Sequence, residues 1–172
     1  ATTLNFQTTG GANALPTLSA SGGSVAFTEG ADISATPVVI DSGISVADSD
    51  NATLSSAVVA ITGNFAAGQD VLAFTNDGST MGNISASFNA GTGVLSLSSS
   101  GATATLAQWQ AALRAVTYTN SSDTPDTTSR TVSFTVNDGN ADSNTDTRVI
   151  SITASNDSPA LTAPASIAVT ED

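Results

Sequence analysis

The chain contains no cysteine, no histidine and no lysine. Each absence removes a class of chemistry. Without cysteine there is no disulfide to staple the fold and no thiolate to hold zinc. Without histidine or lysine, a hydrolytic triad and a lysine base are unavailable, and a Lys–Asn isopeptide cross-link is excluded. Positive charge is scarce: Arg114, Arg130 and Arg148 stand against fifteen acids, for a net charge of −12. Nucleic-acid binding needs a basic face to neutralise phosphates, and an anionic membrane surface attracts the same kind of face. No nucleic-acid partner and no membrane insertion are therefore expected. No apolar run reaches membrane-spanning length. The first residues carry no basic segment followed by an apolar one, so no signal peptide is read there, which leaves secretion open.

Aromatic residues make up 5% of the chain and charged residues 10%, the latter far below the usual quarter. The surface must then be built from Thr, Ser, Asn and Gly, a composition that favours strands and turns. Apolar residues reach 40% of 172, enough for one sizeable buried core and a fragment of a second domain. Thirteen of the acids are Asp; the two Glu are Glu29 and Glu171. Asp is a turn residue that bonds its own backbone. It is also a hard oxygen ligand for Ca²⁺. An acidic chain with its charges gathered in loops fits cation binding, with solvated turns as the plainer alternative.

Side-chain alternation marks the strands. In Arg130–Val136, Val132, Phe134 and Val136 point one way and Thr131, Ser133 and Thr135 the other, the period of a half-buried strand. Val149, Ile150 and Ile152 supply a second strand, and Asn137-Asp138-Gly139-Asn140 between them is a turn signal. Further strands are read at 24–28, 53–61, 71–74, 84–88, 94–97 and 116–119. Thr36–Val46 reads as a strand bent at Ser42-Gly43. One segment breaks the pattern: Thr105–Ala115 has helix formers, with Leu106, Trp109 and Leu113 at helical spacing and Thr105 or Thr103 as cap. A short helix near residues 105–115 is expected to plug an edge or end of a β-sandwich, with Trp109 in the core. Asp70, Asp77 and Asp142 read as ordinary turn residues. Arg114 and Arg130 are expected to pair with acids or carbonyls.

The end of the chain repeats its beginning. Ser24-Val25-Ala26-Phe27-Thr28-Glu29 matches Ser166-Ile167-Ala168-Val169-Thr170-Glu171, and Asn13-Ala14-Leu15-Pro16 matches Asn156-Asp157-Ser158-Pro159. An internal period of this size means one whole repeat plus the first strand of the next. The division is a lead-in at 1–13, a β-sandwich repeat at 14–158, and a linker with the first strand of the following repeat at 159–172.

Several ordered motifs carry a resemblance. They are a strand ending in Thr28-Glu29-Gly30, the loop Asp48-x-Asp50-Asn51, and Trp109…Ala112-Leu113-Arg114…Val116-x-Tyr118. Phe134-x-Val136-Asn137-Asp138-Gly139 and the ending Asn156-Asp157-x-Pro159 complete the set. Over residues 15–172 the chain resembles the cadherin-like tandem repeats of large bacterial surface adhesins, many of them type I-secreted proteins of the RTX class. The resemblance implies an immunoglobulin-like β-sandwich, calcium at the domain junctions, and a place on the bacterial cell surface. Ala14 departs from the pattern, because the matching ending carries Asp157 there.

Strand direction alone sorts the acids. If strands alternate, the one ending at Glu29 runs away from the N-terminal end and the next returns to Asp48 and Asp50. The strand 116–119 runs away again, so the loop with Asp123 and Asp126 lies at the far end. Arg130–Val136 brings Asp138 back, and the last strand leaves Asn156 and Asp157 at the far end. One pole then holds Glu29, Asp123, Asp126, Asn156 and Asp157; the other holds Asp48, Asp50 and Asp138. Carboxylates gathered like this repel unless a cation neutralises them, and Ca²⁺ accepts six to eight oxygens in flexible geometry.

The expected function is a calcium-rigidified spacer repeat of a secreted adhesin, with neighbouring repeats as partners, supporting surface attachment and biofilm. The second reading is a module that binds a glycan or protein ligand. No enzymatic activity is expected; a carboxylate pair of the glycosidase kind remains formally possible.

Overall fold

The structure, a computed structural model, describes residues 11–31 and 35–159. The first ten residues of the lead-in and the strand expected after Pro159, with Glu171, lie outside the described residues. The rest is mostly β-sheet with one short helix, a layered all-β arrangement consistent with a sandwich.

Among the described residues eleven strands and one α-helix follow one another, with a 3-10 turn at Ser100–Ala102 before the helix: β1 (Thr17–Ser19), β2 (Ser24–Thr28), β3 (Val38–Val39), β4 (Ser45–Ala47), β5 (Ser56–Gly63), β6 (Asp70–Ala73), β7 (Ile84–Asn89) and β8 (Val94–Ser99). Then come α1 (Leu106–Arg114), β9 (Thr117–Asn120), β10 (Arg130–Asn137) and β11 (Asp146–Thr153). A six-stranded sheet runs β2-β11-β10-β5-β8-β7, a three-stranded sheet runs β3-β9-β6, and β1 pairs with β4. Neighbours are antiparallel except β2 and β11, which are parallel. That pairing brings the ends of both strands, and therefore Glu29 and the segment after Thr153, to one end of the molecule.

Alternation decides what faces the core. Every second residue of β10, namely Arg130, Val132, Phe134 and Val136, is buried, and the residues between are half-buried. The six- and three-stranded sheets share one apolar core in which Phe27 of β2 meets Tyr118 of β9 edge to face, centroids 5.2 Å apart. Fully burying a side chain of this size stabilises by about 2–3 kcal/mol.

The helix starts where the sequence places its cap. Thr105 accepts from the Gln108 N–H while the Gln108 side chain accepts from the Thr105 N–H, the reciprocal bonds of a capping box. The Trp109 ring is fully buried and its Nε1 donates to the Leu54 carbonyl at 3.0 Å. Arg114 Nε donates to the Ile44 carbonyl at 2.9 Å. The helix therefore closes over the 44–54 segment. Among the described residues no helix is long and apolar enough to cross a membrane.

Three details differ from the expectations. The bent strand at 36–46 is two short strands in different sheets, β3 and β4, parted by a turn at Asp41–Gly43. Gly43 leaves room for Ser21 there, since a Cβ would lie 2.7 Å from Ser21 Oγ and displace it. The strand β1 carried no alternation long enough to read. The connection from β10 to β11 is residues 138–145 rather than a tight hairpin, and Gly139 at its tip has φ +102°.

Candidate metal centre

Glu29 follows β2 directly. Its N–H donates to the Thr153 carbonyl at 2.9 Å, continuing the parallel pairing with β11 by one residue. This turns the side chain inward: Glu29 is only 4% exposed. Its Oε2 accepts from the Ser155 N–H at 2.7 Å. Its Oε1 is buried without a hydrogen-bond partner. A buried carboxylate oxygen left unmatched is costly, and a bound water or a cation is what satisfies such an atom.

Asp123 and Asp157 supply the neighbours. Asp123 is exposed on the loop between β9 and β10, and Asp157 is half-buried beyond β11. Glu29, Asp123 and Asp157 each offer a carboxylate oxygen, all within 4.8 Å of one another. At that spacing each pair repels by roughly 1 kcal/mol in bulk water and roughly 3 kcal/mol at an effective dielectric constant near 20. The group can hold a metal ion, and a divalent cation would convert the repulsion into attraction.

Two other residues expected at this pole have partners of their own. Asp126 lies on the same loop outside the group of three; its Oδ1 accepts from the Thr128 N–H and hydroxyl, and the hydroxyl bond, with the N–H, holds the acid below its usual range. Asn156 is exposed, and its amide donates to the Asp157 carbonyl at 3.0 Å.

The opposite pole gathers Asp48, Asp50 and Asp138. Strand β10 separates the two ends by eight residues, roughly 25 Å at the rise of an extended chain. Here the acids meet donors. Asp48 Oδ1 accepts from the N–H groups of Asp50 and Asn51. Asp50 Oδ2 accepts from the Ala14 N–H at 2.9 Å. Asp138 Oδ2 accepts from Asn13 Nδ2 at 2.8 Å, and Asn51 Nδ2 reaches Asn13 Oδ1 and Asp138. Asp138 Oδ1 accepts from the N–H groups of Asn140 and Ala141. The Ala141 bond and the Asn13 amide hold Asp138 below the usual carboxylate range. Burial pushes Asp48 up, but the N–H groups of Asn51 and Asp50 outweigh it, and the net shift is downward. One atom is left over: Asp48 Oδ2 is buried without a hydrogen-bond partner.

Two acids matter that the sequence reading passed over. Asp70 is not an ordinary turn residue: it is 1% exposed and pairs with the fully buried Arg130, Nε to Oδ2 at 2.9 Å. Parity could have found it. Arg130 shares the inward phase of Val132 and Phe134, and an arginine on a core face needs a buried acid. Asp41, also 1% exposed, accepts from the N–H groups of Ser21 and Gly43 and from the Ser21 hydroxyl. Burial raises it, and those donors more than offset the rise. By contrast Asp77 does serve its own turn, accepting from Ser79 and Thr80.

No protein-family model, curated protein or solved structure matches the chain.

Proposed function

We propose that the chain is a structural spacer repeat of a secreted bacterial adhesin, with an immunoglobulin- or cadherin-like sandwich stiffened by Ca²⁺ at the pole formed by Glu29, Asp123 and Asp157. The observation that carries this reading is Glu29, buried with one oxygen unmatched beside two further carboxylates. Three hard oxygen donors of this type select Ca²⁺ over softer metals, and the loop origin of Asp123 suits calcium's flexible coordination better than the strict octahedron of Mg²⁺.

The internal repeat supplies the link between neighbours. Asn13 and Ala14 match Asn156 and Asp157, and they hydrogen-bond to Asp138 and Asp50 of their own repeat. In an array, Asn156 and Asp157 would make the same bonds to the following repeat while the Asp157 side chain stays with Glu29. A single segment would thus tie the cation group of one repeat to the acidic pole of the next. A chemistry-free spacer role also fits the aromatic residues: Trp109 and Tyr118 are fully buried and offer no ring to a sugar.

The test is small-angle scattering of two repeats joined through residues 156–159, in EGTA and in millimolar CaCl₂. The reading expects one extended, stiff particle with calcium and a broader distribution of lengths without it. Identical scattering in both conditions would reject it.

A further inference from the structure

The loop that delivers Asp123, residues 121–129, is anchored at both feet to one carboxylate. At the first foot, the Ser122 N–H donates to Asn120 Oδ1 at 2.8 Å, and Asn120 Nδ2 donates to Asp70 Oδ1 at 2.6 Å. The Ser121 N–H also donates to the Gln69 carbonyl at 3.0 Å. At the second foot, Arg130 Nη1 donates to the carbonyls of Asp126 and Thr128, while its Nε donates to Asp70 Oδ2. Asp70 accepts two more bonds, from the Tyr118 hydroxyl at 2.6 Å and the Ala66 N–H at 2.7 Å. A carboxylate has about four acceptor positions, and four donors occupy them. Asp70 therefore has no lone pair to give a metal, although it sits under a loop that carries a ligand.

Both partners are buried, and they come from different sheets: Asp70 opens β6 and Arg130 opens β10. The pair ties the two layers together directly beneath the loop. We infer that Asp70, through Asn120 and Arg130, is the positioning residue of the metal centre, fixing Asp123 beside Glu29 and so setting the affinity for the divalent cation. This rests on the reading of Glu29, Asp123 and Asp157 as a cation site. Three carboxylates repel in the cation-free protein, and a loosened loop would relieve that repulsion by swinging Asp123 away. Each binding event would then have to order the loop again. Loss of a group hydrogen-bonded directly to a metal ligand weakens metal affinity about 10–100-fold; Asn120 acts one residue away, through the Ser122 N–H, so the low end of that range applies.

The experiment is calorimetric titration of the full chain with CaCl₂, paired with thermal unfolding in EGTA, for the wild type, Asn120→Ala, Arg130→Lys, Glu29→Gln and Thr105→Ala. Asn120→Ala removes the side-chain link of the first foot, keeping the Ser121–Gln69 backbone bond and the ion pair; Arg130→Lys weakens the second foot. Thr105→Ala removes a helix cap at a distance. The proposal expects Kd to rise about 10-fold in Asn120→Ala, and Thr105→Ala to melt lower with wild-type Kd. Should Asn120→Ala not fold, Arg130→Lys carries the same expectation. A folded foot variant with wild-type Kd and only a lowered melting temperature overturns the positioning role while the site stands. A wild type that gives no calcium heat, like Glu29→Gln, overturns both.

Discussion

The two acidic poles carry similar numbers of carboxylates and differ in what faces them. At the N-terminal pole, Asp50 and Asp138 are met by the Ala14 N–H and the Asn13 and Asn51 amides, and Asp48 by two backbone N–H groups. At the C-terminal pole, Glu29, Asp123 and Asp157 converge within 4.8 Å, and a fully enclosed Glu29 oxygen has no donor at all. A count of acids does not define a cation site; the supply of donors does. One end is built as an amide lock and the other as a carboxylate cage, with Asp48 Oδ2 the single atom at the lock that breaks the contrast.

The largest way to break this comparison is to remove what holds the cage. Asp70→Ala leaves Arg130 as an uncompensated buried charge, and losing one partner of a buried pair costs about 3–5 kcal/mol. Urea unfolding in EGTA should show that loss whether or not calcium is later added. Next comes the cage itself. Extracellular modules of this general kind bind Ca²⁺ with Kd of about 0.1–1 mM, and millimolar calcium at about 10 times Kd stabilises by roughly 1.4 kcal/mol, or roughly 3–6 °C in a domain of this size. Glu29→Gln should abolish that calcium-dependent rise in Tm while leaving the EGTA melting temperature unchanged or higher, since it removes one of three repelling charges.

Smaller effects sharpen the other side. Asn13→Ala takes the amide from Asp138 and should lower stability by about 1 kcal/mol, equally in EGTA and in calcium; an equal loss in both media is the mark of a lock. Acid should then act on the lock as well. The folded-state pKa values of Asp48 and Asp138 are depressed, so below neutrality the unfolded chain takes up their protons first. Their contribution is complete above the ordinary aspartate pKa of about 3.9 and is lost as pH falls through the lower folded values. Thermal unfolding in EGTA from pH 6 to pH 3 should show a smaller drop for Asp138→Asn than for the wild type.

How much of this was legible in the sequence follows from the range of each signal. The alternation of β10 and the cap, spacing and buried Trp109 of α1 are local, and they read directly from neighbouring residues. The direction of successive strands was enough to send Glu29, Asp123 and Asp157 to one end and Asp48, Asp50 and Asp138 to the other. What stayed hidden depends on partners far apart in sequence. Asp70 looks like loop chemistry after Gly68-Gln69; the inward phase of Arg130 asks for a buried acid, and the contacts with Arg130 and Tyr118 show which acid it is. Asp126 bonds its own Thr128 rather than joining Asp123, a choice that depends on the path of the loop and not on the residue type. The strand β1 is three residues long, too short for a period to show.

The most direct test of the account is thermal unfolding of the chain in EGTA, then in millimolar CaCl₂ and MgCl₂. A rise with calcium that exceeds the rise with magnesium and disappears in Glu29→Gln is the predicted result. The same melting temperature in all three solutions would contradict it, and would leave Glu29, Asp123 and Asp157 as acids that gather without binding a cation.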